Sequence, residues 1–179
     1  FIKCKRCFYL ERKLEIKHIG TPGHPINSRV DSLLKAEFDI YRKKQEPHPL
    51  MREEKINAVP FEHKNLHDQT WRLNFKGVRY LDKETNLEVF GAIDDLWIDK
   101  NTKEIIVVDY KATSKKDEVS LDAEWQISYK RQIEIYQWLL KKNNLKISDL
   151  SFFVYCNGIK TKERFDNKLE FKIKLIPYK

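Results

Sequence analysis

From residue 105 the chain reads IIVVDYK: four aliphatic side chains, then an acid, an aromatic ring and an amine. An unbroken apolar run of this kind, bounded by turn residues, predicts a strand buried on both faces. Upstream, VRYL (78–81) and LEVFGAIDDLWI (87–98) read as two further strands. DKETN and DKNT are the turns around them. Residues 124–142, EWQISYKRQIEIYQWLLKK, set apolar and aromatic side chains at 125, 129, 133, 136 and 139–140, one stripe of a helix. FFVYC (152–156) predicts another buried strand, and LEFKIKLI (169–176) alternates with period two like a half-exposed one.

Nearer the N-terminus, residues 1–16 read as a short basic, aromatic-rich helix or the approach to one, and GTPGHP then interrupts the chain. Asn27 or Ser28 is a natural cap for a helix running to about Lys44, with Val30, Leu33, Leu34, Phe38 and Tyr41 at helical spacing. QEPHPL ends it, and Trp71 with Phe75 suggests a short helix in the less regular stretch 50–75. The order α-β-β-β-α-β, then a last strand, predicts an α/β (α+β) layered fold. The helix at 124–142 crosses between strands of a mixed central sheet.

A chain of 179 residues is expected to form one domain (1–179) with roughly 70% of its surface buried. Phe at position 1 and the strand-like last residues suggest the ordered part of a slightly longer chain. No apolar run approaches the ~20 residues of a membrane span, so no membrane partner is expected, and the odd count of three cysteines points to a cytoplasmic setting. Lys and Arg number 35 against 27 acids, a net +8, which favours a polyanionic partner such as nucleic acid over an acidic metabolite. A merely basic solvated surface is the alternative. Lys3, Lys5, Arg6, Arg12 and Lys13, interleaved with Phe8 and Tyr9, form a segment able to grip a phosphate backbone or to be a solvated helix face. Three cysteines leave one over from any pairing, so a reducing setting is expected.

The chemistry lies in the hairpin between the second and third strands. A turn symmetric about Asn101 and Thr102 sets Asp99 opposite Glu104 and Asp94 opposite Asp109. Opposed residues share a face, and period two puts Lys111 on that face too. Two facing carboxylates repel unless a cation lies between them. A hard divalent ion suits them, with water and the Tyr110 backbone carbonyl completing an oxygen shell. Such an ion acidifies its water and polarises a phosphoryl oxygen, while Lys111 orients the nucleophile and neutralises developing charge. This is chemistry for cutting a phosphodiester. Taken alone, Asp109 and Lys111 read as a salt bridge at a strand end; Asp94 opposite them tips the balance, provided the register does not slip.

Three motifs in this region resemble those of the PD-(D/E)xK nuclease superfamily, in particular its RecB-like branch. GAID (91–94) resembles the G-x-x-D motif, VVDYK (107–111) the D-x-K motif, and YKRQIEIY (129–136) the Y-x-x-Q-x-x-x-Y motif of the following helix. The resemblance implies a restriction-endonuclease-like core and a nuclease using Mg2+ or Mn2+. It implies metal ligands at Asp94 and Asp109, a catalytic lysine at Lys111, and substrate-binding or site-supporting roles for Tyr129, Gln132 and Tyr136. Core packing is the plain alternative for Gln132 and Tyr136. RecB-like relatives usually carry a histidine ligand on the first core helix; here Asp31 stands in that region, with Glu37 a weaker substitute and His24 ahead of the helix. Some relatives hold an iron–sulfur cluster on four cysteines. Cys4, Cys7 and Cys156 are too few for that, which argues against the cluster and leaves a three-cysteine site completed by a histidine or by further sequence as the alternative.

The resulting expectation is a metal-dependent nuclease acting on DNA rather than RNA, in repair, recombination or defence. A binding module that keeps the nuclease fold without turnover, and a domain of a larger helicase–nuclease complex, are the alternatives. The carboxylates favour the enzyme, because a pure binder gains nothing from acids facing phosphates.

Overall fold

Lys5–Arg12 forms α1, and Cys4 caps it by accepting a hydrogen bond from the Cys7 amide at 3.1 Å. The computed structural model describes residues 2–17, 20, 23–161 and 163–179. Cys4 and Cys7 are joined as a disulfide, their Cα atoms 5.3 Å apart. The odd cysteine count points to a reducing setting, whereas spacing by three at a helix start brings this pair within bridging reach. Cys156 remains a buried thiol packed among α2-side residues such as Phe38 and Trp97, and burial pushes its pKa up to about 11.

Helix α2 spans Pro25–Lys44, starting ahead of the Asn27 or Ser28 cap that the pattern predicts. Pro25 is the reason: its ring is preorganised for the first helical position and its missing N–H is not needed there. The end at Lys44 agrees with the prediction, and Gln45 closes it in the left-handed region at φ 53. Two short helices follow, α3 (Pro49–Glu53) and α4 (Lys64–His67), with a 3-10 turn at Thr70–Arg72 near the predicted Trp71 helix. Between α3 and α4 lies β1 (Ala58–Pro60), which the sequence pattern did not reveal. Three residues ending in proline carry no period, and such a strand forms only because a sheet edge receives it.

The predicted strand 87–98 is two strands. β2 (Val78–Asp82) and β3 (Leu87–Gly91) form a separate antiparallel hairpin, and β4 (Asp95–Asp99) belongs to the main sheet. That sheet has the order β1-β4-β5-β6-β7, with β5 (Ile105–Thr113), β6 (Ser151–Gly158) and β7 (Phe171–Tyr178). β5 and β6 pair in parallel, joined through a 3-10 turn (Glu124–Gln126) and α5 (Ile127–Lys142), while the other neighbouring strands of this sheet pair antiparallel, so the sheet is mixed, as expected. The register of β4 on β5 sets Asp95 opposite Val108 and Ile98 opposite Ile105, as a turn centred on Asn101 and Thr102 requires.

The sheet has two dry faces. Val107, Phe153 and Tyr155 pack with Ile133, Tyr136 and Leu139 of α5. Ile106, Val108, Tyr110 and Val154 pack with Leu34 and Phe38 of α2. β5 is therefore covered on both sides, which is why its sequence shows an apolar run rather than alternation. Among the described residues no helix is long and apolar enough to cross a membrane.

Candidate functional site

Three elements meet at the C-terminal half of β5: the break between β3 and β4, the first turns of α2, and α5. The break is made by glycines. Gly77 has φ +57, and a Cβ there would lie 2.3 Å from the Gly91 carbonyl oxygen, so β2 starts hard against the end of β3. A Cβ on Gly91 would lie 2.7 Å from Cε1 of Tyr136. The glycine of GAID is thus needed because the last tyrosine of YKRQIEIY approaches it closely, a link between two motifs that only the packing reveals.

Past this break the Asp94 carboxylate accepts a hydrogen bond at Oδ2 from the Tyr110 amide, 2.9 Å away. Asp109 is fully buried on the α5 face of the same sheet. Neither of its oxygens has a hydrogen-bond partner among the described residues; Lys111 Nζ lies against Oδ2 as an ion pair without the alignment of a hydrogen bond. Burial, with repulsion from Asp94, pushes the Asp109 pKa up to about 7.

Lys111 is positioned from α5. Its ammonium donates to Gln132 Oε1 at 3.3 Å and stands 4.5 Å over the Tyr129 ring. An ammonium can only donate, so the amide oxygen of Gln132 faces it and the Gln132 NH2 donates to the Tyr136 hydroxyl at 2.7 Å. Burial raises the Tyr136 pKa well above the usual phenol value, keeping that hydroxyl protonated. Tyr129 and Gln132 thus contact Lys111 directly and Tyr136 reaches it through Gln132, while Tyr136 also packs in the core beneath α5, as the plain alternative expects. Trp125 extends the row: it is edge-on to Tyr129 at 5.4 Å, beneath Lys115 Nζ at 5.2 Å, and exposed.

Asp31 reaches the site from α2. Lys35 stands between it and Asp94, with Nζ 2.8 Å from Asp31 Oδ2 and 2.9 Å from Asp94 Oδ1. Burial and the Asp94 charge raise the Asp31 pKa. Burial also opposes charge on Lys35, but Asp94 and Asp31 together hold its pKa above the ordinary value. Glu37 points elsewhere, pairing with His48 at 2.9 Å, and His24 is the N-cap of α2. Asp31, Lys35, Asp94, Lys111, Tyr129 and Gln132 line a cavity of about 660 Å³, and Asp109 lies behind Lys111, outside that lining.

Beneath the site lies a charge network that sequence reasoning missed. Asp95 is fully buried, its Oδ1 paired with the Arg42 guanidinium, 3.2 Å from Arg72 Nη2 and 2.8 Å from the Leu96 amide. The Tyr110 hydroxyl donates to its Oδ2 at 2.7 Å. Arg72 also donates to the Asp94 carbonyl at 2.9 Å, and Asp39 bridges Arg72 and Arg42. Those two guanidinium groups draw the Asp39 pKa below its usual value against the effect of burial. The Asp94–Asp95 doublet was the available signal: neighbours in a strand point to opposite faces, so one acid of the pair must be buried against α2.

No three His, Cys, Asp or Glu side chains among the described residues form a ready metal-binding group. The two-carboxylate arrangement nevertheless fits a hard cation. Asp109 offers two buried oxygens without hydrogen-bond partners, beside the oxygens of Asp94.

A mixed sheet covered by helices on both faces, with two acids and a lysine at one strand end, defines a restriction-endonuclease-like α/β protein. The profile of the PD-(D/E)XK nuclease superfamily matches residues 1–172, and the chain belongs to that family of phosphodiester-cutting enzymes. No curated protein and no solved structure gave a match.

Proposed function

We propose that the chain is a divalent-metal-dependent deoxyribonuclease of the RecB-like branch, serving repair, recombination or defence. The carrying observation is Asp109, a fully buried carboxylate without hydrogen-bond partners beside Asp94 and Lys111. Lys111 is its one ion-pair partner among the described residues, and burying a charge with so little pairing costs several kcal/mol, which a bound cation would offset. The RecB-like assignment is supported by the way the three motifs meet, Gln132 joining Lys111 to Tyr136 and Tyr136 packing against Gly91, and a nucleic-acid substrate by the net charge of +8.

Asp94 and Asp109, with the Tyr110 carbonyl, would hold Mg2+ or Mn2+, which on binding supplies Lewis acidity toward the phosphoryl oxygen and a more acidic water. Lys111 supplies a fixed positive charge at the scissile phosphate. With one donor engaged by Gln132 and Asp109 on its flank, the ammonium keeps a donor for a phosphate oxygen or the attacking water. The Tyr129 ring limits its swing, so the amine is preorganised. Trp125 and Lys115 offer a stacking face and a backbone contact for the strand entering the cavity.

The test is cutting of labelled single-stranded and duplex DNA with Mg2+, with Mn2+ and with EDTA. The expected result is metal-dependent cutting that Asp109→Ala eliminates and Lys111→Ala lowers on the order of 10³-fold, with both variants folded. DNA binding without cutting under every condition would replace this reading with a binding module. Gly91→Ala should lower cutting by roughly 10- to 100-fold, because the new Cβ displaces the Tyr136 ring and with it Gln132 and Lys111. An unchanged rate in that variant would separate Tyr136 from the chemistry.

A further inference from the structure

We propose that Lys35 is a built-in second cation of the site, so that the chain binds one divalent ion where three carboxylates would otherwise accept two. The inference rests on the metal-dependent reading above and concerns how the chain's own residues divide the acids.

Asp31 and Asp94 bring two negative charges to one end of the cavity, Asp109 adds a third from its buried position behind Lys111, and the three are not equivalent. Among the described residues Asp109 has no aligned hydrogen bond at either oxygen and one ion-pair contact, from Lys111 to Oδ2. Asp94 has its Oδ2 engaged by the Tyr110 amide, and its Oδ1 faces Lys35 at 2.9 Å. Asp31 faces the same ammonium at 2.8 Å. The Lys35 ammonium thus occupies the space between Asp31 and Asp94, where a second ion would have to sit to use both acids.

Its placement is over-determined. Lys35 lies one helical turn from Asp31, the spacing at which side chains meet on one helix face. Its stem is held by α2, with Leu34 and Phe38 beside it in the core. The side chain is only 18% exposed, so water does little to screen the two contacts. A lysine tethered in this way is always present, unlike an ion that must be bound from solution. The charge count agrees: with Lys35 and Lys111 in place, three carboxylates leave one net negative charge, enough for one divalent ion and not for two before the phosphate arrives.

Removing the ammonium exposes Asp31 and Asp94 to each other across the vacated space. Two facing carboxylates without a cation form an oxygen pair suited to a hard divalent ion. Lys35→Met keeps the length and apolar character of the stem, and Lys35→Ala provides a second neutral form in case the methionine packs poorly. Both therefore gain a metal site rather than lose one, an outcome that loss of structure cannot imitate.

The experiment is Mn2+ titration at pH 8, following free Mn2+ by electron paramagnetic resonance and bound ions by calorimetry, with folding checked by circular dichroism. The expected result is one ion for the wild type and two for Lys35→Met or Lys35→Ala, the pair showing spin–spin broadening. Lys35→Met combined with Asp31→Asn should return the count to one. Two ions in the wild type, or one in both folded neutral variants, overturns the proposal while leaving the metal-dependent reading standing. No bound ion in any of these proteins overturns that reading and the proposal with it.

Discussion

Asp109→Asn is expected to eliminate cutting and at the same time to stabilise the metal-free fold. The two effects share a cause. Asp109 is fully buried with no hydrogen-bond partner for either oxygen, and its pKa is raised from 3.8 to about 7 by burial and by Asp94. A carboxyl with a raised folded-state pKa keeps its proton where the unfolded chain has lost it. Its contribution to stability therefore falls as pH rises from about 4 to about 7, and the full penalty is present above that window. Neutral Asn has no such dependence. At pH 8 without metal the variant should be more stable than the wild type by on the order of a few kcal/mol, the difference narrowing toward pH 4. Saturating Mn2+ should reverse the order, because an ion that binds only the folded wild type adds stability by mass action. Urea unfolding at pH 5 and pH 8, with and without Mn2+, measures all of this. Parallel pH dependences for the two proteins would remove Asp109 as the strained acid of the site.

Asp95→Ala is expected to have the opposite character, with a large loss of stability and an indirect loss of metal binding. The Asp95 carboxylate takes donors from Arg42, Arg72, Tyr110 and the Leu96 amide. Deleting it leaves two buried guanidinium groups with Asp39 as their remaining carboxylate. Breaking one side of a buried ion network costs about 3–5 kcal/mol, a large fraction of a typical domain's stability. The effect reaches the site because Arg72 holds the Asp94 carbonyl and Tyr110 holds the Asp94 carboxylate. Loosening such supports typically lowers metal affinity 10- to 100-fold. Chemical unfolding gives the first quantity, and Mn2+ calorimetry below the variant's melting temperature gives the second. A stability loss below about 1 kcal/mol would show that the network adds little to the fold.

The contrast between these two acids marks how far the sequence could be read. Asp109 announced itself, because a carboxylate ending an apolar run is out of place. Asp95 did not, because the pairing of Asp94 with Asp109 left its neighbour without an assigned role. Lys35, Arg42 and Arg72 were equally silent. In a chain with 35 lysines and arginines, a helix cation reads as surface until something buried is seen to need it.

What the sequence determined by itself was set by short-range periodicity. Hydrophobic spacing located α2, α5, β5, β6 and β7 to within a few residues, and turn symmetry fixed the register of β4 on β5. Those signals are local, since a period of 2 or 3.6 is written in neighbouring side chains. Tertiary structure alone decided that residues 87–98 divide between two sheets, that Ala58–Pro60 joins an edge, and that α2 sends Lys35 between two acids. Each of these depends on which distant surface a segment meets. Close approach at Gly77 and Gly91, burial of Asp95 and the division of the three carboxylates exist only once the sheet and both helices are packed together.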